Sequence, residues 1–599
     1  MAGRSRLPVV VAAVVGIIAV AAVRAVVTGD SGDDPNAIKV DTDCTQVALT
    51  ASSEKAALLQ RIAADYSDDD GEVGGTCVQV QVTSKASGSA ADALARGWDE
   101  GVDGPRPDVW SPASSTWTAL LRQQTAARDA PDLVGEAELP SLARTPLVIA
   151  MPKPMAEVLG WPAKPLGWSD ILALAKDPTG WQRFGKPYGA FTLGKTNPNF
   201  STSGLNATIG AYFAATGLSS DLALKDLAKP DVQAYVKGVE SSVVHYGDTT
   251  LTYLSNLQKA DDRGQALSYV SAVTVEEKSV WDYNQGNPTG DPKTLGQHAK
   301  PRTPLVAIYP KEGTLYSDNP YAVLDAPWVD DATRDAAADF LAYVRGSGAQ
   351  KRFAEAAFRD FDGKAGDRIT QAEGLLPAEP KAVLNPPSPQ VIAAVRTSWE
   401  SLRKRAKILL VLDTSGSMGD SVGSAGTSKL ELAKRAAVKA VDLIAKDDEV
   451  ALWAFSTPLD GDTTPFRPLV PFRPAATNAA LVKSTIADLQ PDGGTALYAT
   501  TRAAAQVLAE RYAPDKINAV VVLTDGRNEY PPDRNLDSLT RALDSEDADR
   551  QVRVFTIAYG DDADLGELRA IAEASKAAAY DASDPGSIDK VLAAVLSNF

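Results

Sequence analysis

Strands and helices alternate along almost the whole chain, and this alternation constrains the fold more than any other feature. In the last third, the near-continuous apolar runs AKILLVLD, EVALWAFS, INAVVVLTDG and VRVFTIAYG are separated by KLELAKRAAVKAVDLIAK and ALYATTRAAAQVLAERY, whose apolar residues recur at helical spacing. Strands without polar alternation are buried on both faces, so helices must cover both sides of one mostly parallel sheet. The expectation is a doubly wound, Rossmann-like sheet that holds ligands at the C-terminal ends of its strands. From Val47 onward the same logic applies: VALTASS, EKAALLQRIAADYSD, VQVQVTSK, ADALARGWDEG, PDVWSPASS and TWTALLRQQTAA describe further α/β units.

A chain of 599 residues exceeds one core, and about two to four domains are expected. The net charge of −17 argues against nucleic acid or an anionic membrane surface as the main partner. It suits a protein that binds cations outside the cytoplasm.

Arg4 and Arg6 precede LPVVVAAVVGIIAVAAVRAVV, residues 7–27, which only Arg24 interrupts. A membrane span needs about 20 apolar residues, so residues 1–28 are expected to hold one transmembrane helix. Basic residues before it and GDSGDD after it place the N-terminus inside and the body outside. The alternative is a cleaved signal peptide, for which Ala19, Ala21 and Ala22 would suit a peptidase, leaving a secreted protein. Residues 29–43 are polar and form a spacer. The only cysteines, Cys44 and Cys77, follow on the oxidising side. A disulfide between them is expected, closing a loop of about 30 residues worth roughly 3 kcal/mol.

The strand AKILLVLD runs into VLDTSGSMG, which offers Asp413, Ser415 and Ser417 at alternating positions of a strand-to-loop turn. Catalytic readings fail on spacing. A nucleophile elbow needs G-x-S-x-G, which is absent here. A triad needs a histidine, and His245 and His298 both lie in the other half of the chain. A protease Asp-Thr/Ser-Gly is broken by Ser415, and a phosphate loop lacks its lysine. No enzyme activity is expected. Hard oxygen donors converging on one point suit Mg²⁺ first, with Mn²⁺ or Ca²⁺ as alternatives, and not zinc or copper. Gly493-Gly494-Thr495 adds a hydroxyl before a helix, and Leu523-Thr524-Asp525-Gly526 adds a carboxylate at a strand end.

D-T-S-G-S-M, G-G-T and T-D-G, in that order, resemble the metal-ion-dependent adhesion site (MIDAS) of a von Willebrand factor A (VWA) domain. The resemblance spans residues of about 400 to 599. It implies that Asp413, Ser415, Ser417, Thr495 and Asp525 are the metal ligands, and that one coordination position stays open to an incoming carboxylate. The partner implied is a protein that offers an Asp or Glu.

The stretches ALTASSEKAALLQ, PDVWSPASSTW, LPSLARTPLVIAMPK and FTLGKTNPNFSTSGLNATIGAYF resemble parts of a two-lobed extracellular solute-binding protein of the periplasmic type II kind. So do PLVAIYPKEGTLYSDNPYAVLDAPWV and the helix after it. The expected solute-binding-like domain is 44–390, with lobe one at about 44–143 and 302–390 and lobe two at about 144–301. RTPLVIAMPK and RTPLVAIYPK echo each other and are expected to be crossover strands between the lobes. Residues 391–405 are expected to be a linker, and 406–599 the VWA domain. Ser-rich turns precede helices at Ser52-Ser53, at Ser111, Ser114 and Ser115, and at Ser201-Thr202-Ser203, with Lys195 nearby. Hydroxyls and N–H groups at helix starts hold polar or anionic solutes, so these are the candidate solute ligands. The whole describes a bacterial envelope protein that adheres to a partner through its cation. The alternative is a solute receptor for a transporter or signalling system, with the VWA domain as its docking module.

Overall fold

The computed structural model describes residues 43–599 apart from 70, 136, 423–425, 459–463 and 545–549. The expected membrane segment, residues 7–27, lies outside the described residues, as does nearly all of the spacer. Among the described residues no helix is long and apolar enough to cross a membrane. Cys44 and Cys77 are both disulfide-bonded.

Lobe one is built on β1 (Thr45–Ala51), β2 (Glu72–Val73), β3 (Thr76–Ser84) and β4 (Val109–Ser111). β1 pairs parallel with β3 and with β4. The helix Ser53–Asp68 buries Leu58, Leu59, Ile62 and Ala63 against this sheet, at the spacing of one helical face. Lobe two carries β5 (Thr145–Pro152), β6 (Leu193–Thr196), β7 (Val243–Gly247), β8 (Ala272–Glu276), β9 (Leu305–Ile308) and β10 (Tyr316–Ser317). The chain returns to lobe one at β11 (Ala322–Val323), which pairs antiparallel with β4.

Two sequence expectations change here. The echoing stretches run side by side where the chain enters lobe two and returns from it, β5 pairing antiparallel with β9, Ile149 opposite Ile308 and Met151 opposite Val306. β10 also pairs with β5, so the sheet of lobe two runs on to Ser317 instead of ending near residue 301. Matching apolar composition marks strands that share one buried sheet. The expected linker is largely the helix Pro389–Leu402, with Pro389 at its first turn. It buries Val391, Ile392, Val395 and Trp399, one apolar stripe, against both lobes.

The C-terminal domain has the strand order β16-β15-β12-β17-β18-β19, comprising β12 (Arg405–Asp413), β15 (Glu449–Phe455), β16 (Phe466–Pro474), β17 (Lys516–Thr524), β18 (Arg553–Tyr559) and β19 (Ala579–Ala582). A short hairpin, β13 (Ser421–Val422) and β14 (Thr427–Ser428), follows β12. All pairs in the main sheet are parallel except that of the edge strand β16. The core shows why the apolar runs are continuous. Ile408, Leu410 and Leu412 enter one cluster with the helix Lys429–Val441, whereas Leu409 and Val411 enter another with the helix Leu497–Glu510. The C-terminal ends of β12, β17 and β18 therefore meet at one edge.

This domain packs directly on lobe two. The Tyr246 N–H donates to the Asn598 carbonyl over 2.9 Å, and the Asn197 amide donates to the Ser597 carbonyl over 3.1 Å. Arg263 reaches Glu573 at 2.8 Å.

Candidate functional site

β12 ends on Asp413, and the chain turns at once into a short 3₁₀ turn, Gly416–Gly419. The Ser415 N–H donates to Asp413 Oδ1 over 2.8 Å, and the Thr524 hydroxyl donates to Asp413 Oδ2. Asp413 thus ties the loop to the end of the neighbouring strand β17. The Gly416 N–H donates to the Gly493 carbonyl over 2.7 Å, and the Asp492 N–H to the Thr414 carbonyl over 2.7 Å. Those bonds bring the G-G-T loop against D-T-S-G-S.

Ser415 Oγ lies 3.1 Å from Ser417 Oγ, and the Ser417 hydroxyl donates to Asp525 Oδ1 over 2.9 Å. Thr495 Oγ1 packs on Gly526, where any Cβ would stand 2.7 Å from it. Only glycine after Asp525 leaves room for that hydroxyl. The structure therefore brings the five expected ligands together from three loops, with Ser417 and Asp525 in contact across 108 positions of sequence. Asp413 and Asp525 are fully buried, and Ser415 and Thr495 nearly so. Burial pushes the Asp413 carboxyl up to about 7; the Thr524 and Ser415 hydrogen bonds pull it down, and Asp525 adds to the rise. Two buried carboxylates this close are costly until a cation offsets them.

The donor set fits a hard divalent cation. Oxygens on adjacent corners of a Mg²⁺ octahedron, with bonds of roughly 2.0–2.1 Å, lie about 2.9 Å apart. The Ser417–Asp525 separation of 2.9 Å matches that edge, and the Ser415–Ser417 separation of 3.1 Å is slightly wider. Calcium bonds of roughly 2.3–2.6 Å would spread the same corners to about 3.3 Å or more.

One charged group of this site is missing from the sequence expectation. Lys429, the first residue of its helix, places Nζ 3.0 Å from Asp525 Oδ2 and 3.3 Å from Asp562 Oδ2. A lysine at a helix start opposes the helix dipole, and that misplacement was the available signal.

The candidate solute residues are engaged within the protein. The Ser52 N–H donates to the Ser111 carbonyl over 3.0 Å, and the Ser52 hydroxyl accepts from Lys55 Nζ at 2.9 Å. Ser111 donates to the Pro320 carbonyl over 2.7 Å. Ser53 opens the helix Ser53–Asp68. Ser114 caps the helix Ser115–Ala126 by accepting from the Thr116 N–H, and the Ser115 N–H donates to Asp318 over 2.7 Å. Ser201 and Ser203 share hydroxyl contacts with Thr196, and Ser203 with Thr250. Thr202 accepts from the Trp117 indole N–H of lobe one over 2.8 Å. Lys195 is a correction: its ammonium is not free beside the third loop but buried in an ion pair with Glu240. The lobes also touch where the Gly88 N–H donates to the Phe200 carbonyl over 2.9 Å. Ser115 borders a separate cavity of about 600 Å³, whose wall includes Arg122, Arg144 and Arg345 as well as Glu138, Asp318 and Asp362.

Residues 47–359, just over half the chain, match the bacterial extracellular solute-binding protein family. The chain belongs to that family. Beyond its solute-binding domain, residues 407–594 match the von Willebrand factor type A domain. An uncharacterized protein of Mycobacterium tuberculosis strain H37Rv is 24% identical over 539 residues, 88% of this chain and 73% of the relative. Among solved structures, the periplasmic binding protein AfuA from Actinobacillus pleuropneumoniae, with exogenous fructose-6-phosphate bound, aligns at 14% identity with a TM-score of 0.39. That alignment covers 60% of this chain and 99% of AfuA. A von Willebrand factor type A structure from Catenulispora acidiphila aligns at 22% identity with a TM-score of 0.27, covering 33% of this chain and 42% of its own. A solute-binding domain of the extracellular type joined to a VWA domain is consistent with an extracytoplasmic binding protein.

Proposed function

We propose that this solute-binding family member is anchored in the bacterial cell membrane by residues 7–27 and works as an adhesion protein outside it. Its VWA domain holds a divalent cation, Mg²⁺ first, on Asp413, Ser415, Ser417, Thr495 and Asp525, and through the cation grips an acidic side chain of a protein partner. The observation that carries this reading is the convergence of oxygens at one sheet edge, with separations of 3.1 and 2.9 Å between Ser415, Ser417 and Asp525. Two carboxylates supply the charge and the remaining donors are neutral hydroxyls, so a bound cation keeps its attraction for a further carboxylate. The reading is one of binding, with no bond made or broken.

Titration with Mn²⁺, followed by paramagnetic resonance, tests it. Asp413→Ala is expected to lose at least about tenfold in cation affinity, roughly 1.4 kcal/mol. Partner capture in magnesium should disappear with the same substitution and with chelator. Equal cation affinity in the two proteins would sink the reading.

A second reading, in which the solute-binding domain serves as a receptor for a small anionic solute, is favoured by the 600 Å³ cavity. On its wall, among the described residues, Arg144 Nε is buried without a hydrogen-bond partner and Arg345 stacks on the Phe361 ring, although the net charge of the chain is −17. Thermal-shift measurements with phosphate and citrate should raise the melting temperature by a few degrees, and Arg144→Ala should remove that rise. No shift with either anion would count against it.

A further inference from the structure

The ammonium of Lys429 lies beside the candidate cation site and is fixed there. Its side chain is 11% exposed, and it pairs with Asp525, which is fully buried, and with Asp562, which is 74% exposed. The backbone is held as firmly: the Lys429 N–H donates to the Asp420 carbonyl over 2.9 Å, and the Tyr559 hydroxyl donates to the Lys429 carbonyl over 3.0 Å. Asp525 is thereby divided, with Oδ1 accepting from Ser417 inside the donor set and Oδ2 facing Lys429.

We propose that Lys429 determines the specificity of this site for an anionic partner by making the cation loosely held until a carboxylate arrives. The inference rests on the cation reading given above. With a divalent cation in place, the two buried carboxylates and the ammonium leave the site one positive charge in excess. The carboxylates of Asp562 and of Glu529, which accepts from the Thr495 N–H over 3.4 Å, are both exposed, so water screens them and they offset little of it. Like charges at this range repel strongly where water is scarce, so Lys429 weakens the cation when it binds alone. An incoming Asp or Glu removes the excess and is drawn by both the cation and the ammonium. Cation and partner therefore assist each other, and the assistance is reciprocal.

Lys429→Met keeps the length of the side chain and removes its charge. In the intact protein without partner, this variant is expected to bind Mn²⁺ about tenfold more tightly than wild type. With Mn²⁺ saturating, a synthetic peptide carrying one glutamate should bind the variant about tenfold more weakly. Lys429→Arg should stay near wild type in both measurements. Lys429→Gln, which retains a hydrogen bond to Asp525, repeats the test if methionine disturbs folding. The sign separates this proposal from a bracing role: if Lys429 only held Asp525 in place, its loss would weaken the cation. Equal or weaker Mn²⁺ binding in the Met and Gln variants overturns the inference and leaves the cation site standing, as does unchanged affinity for the peptide. If neither wild type nor variants bind Mn²⁺, the cation reading fails and the inference falls with it.

Discussion

Glu240→Ala is expected to destabilise the protein by about 3–5 kcal/mol, because it leaves a buried charge without its partner. Glu240 closes the helix Pro230–Glu240 and is fully buried. Three groups converge on its carboxylate. Lys195 forms the ion pair, the Tyr246 hydroxyl donates over 2.6 Å, and the Trp399 indole donates over 3.1 Å. Beside them, Tyr212 donates to Ser398 over 2.6 Å, on the same helix as Trp399. With alanine at 240, Lys195 keeps only the Thr208 hydroxyl at 2.7 Å, and two buried donors lose their acceptor at about 1–3 kcal/mol each. Burial already lowers Lys195 below its ordinary value while Glu240 pulls it back, so the variant should also carry Lys195 more readily as the free amine. Chemical denaturation followed by tryptophan fluorescence measures the effect, since Trp399 lies in the node. The double variant Lys195→Met/Glu240→Leu should recover most of the loss, because a packed apolar pair replaces the ions without stranding either. A loss under about 1 kcal/mol for Glu240→Ala would mean that the pair is not the tie between the helix Pro389–Leu402 and lobe two.

That tie marks the limit of what local sequence shows. The strands around Leu409 and Val520 are legible because continuous apolar runs leave no other place for them than a sheet covered on both faces. The candidate cation site is legible for a related reason: D-x-S-x-S, G-G-T and T-D-G each sit at the end of a recognisable strand or start of a helix, and parallel topology delivers such ends to one edge. Lys195 was not legible, because its partner lies 45 positions away on another element. The pairing of β5 with β9 shows only as an echo in composition, which identifies like strands without saying that they are neighbours. The helix Pro389–Leu402 had a readable stripe at Val391, Ile392, Val395 and Trp399. The prolines before it have the composition of a linker, but Pro389 is a helix start. Closure of the two lobes depends on contacts such as Trp117 to Thr202 that no local pattern encodes.

Gly88→Val is expected to force the lobes apart or to cost about 3 kcal/mol if they stay together. A Cβ at position 88 would stand 2.2 Å from the Asn199 carbonyl oxygen and 2.8 Å from the Phe200 Cα. Both obstacles are backbone of lobe two, so no side-chain rotation relieves them; either the helix Ser87–Arg96 or the loop must move. Movement would break the bond from the Gly88 N–H to Phe200 and the Trp117–Thr202 bond. It would also loosen Asn199, which the helix Pro389–Leu402 holds through Arg396 at 3.0 Å and Glu400 at 2.7 Å. The solute-binding domain is therefore closed on its own backbone, and the helix leading into the VWA domain grips the same loop. Small-angle scattering should show a larger radius of gyration for the variant, and hydrogen exchange should quicken over residues 197–203. If both stay at wild-type values with unchanged stability, the two lobes are not in the close contact that excludes a side chain at position 88. If the lobes do open, the hydroxyls of Ser201, Thr202 and Ser203 become accessible, and repeating the anion thermal-shift measurements on this variant separates a cleft that is shut from one that has no affinity.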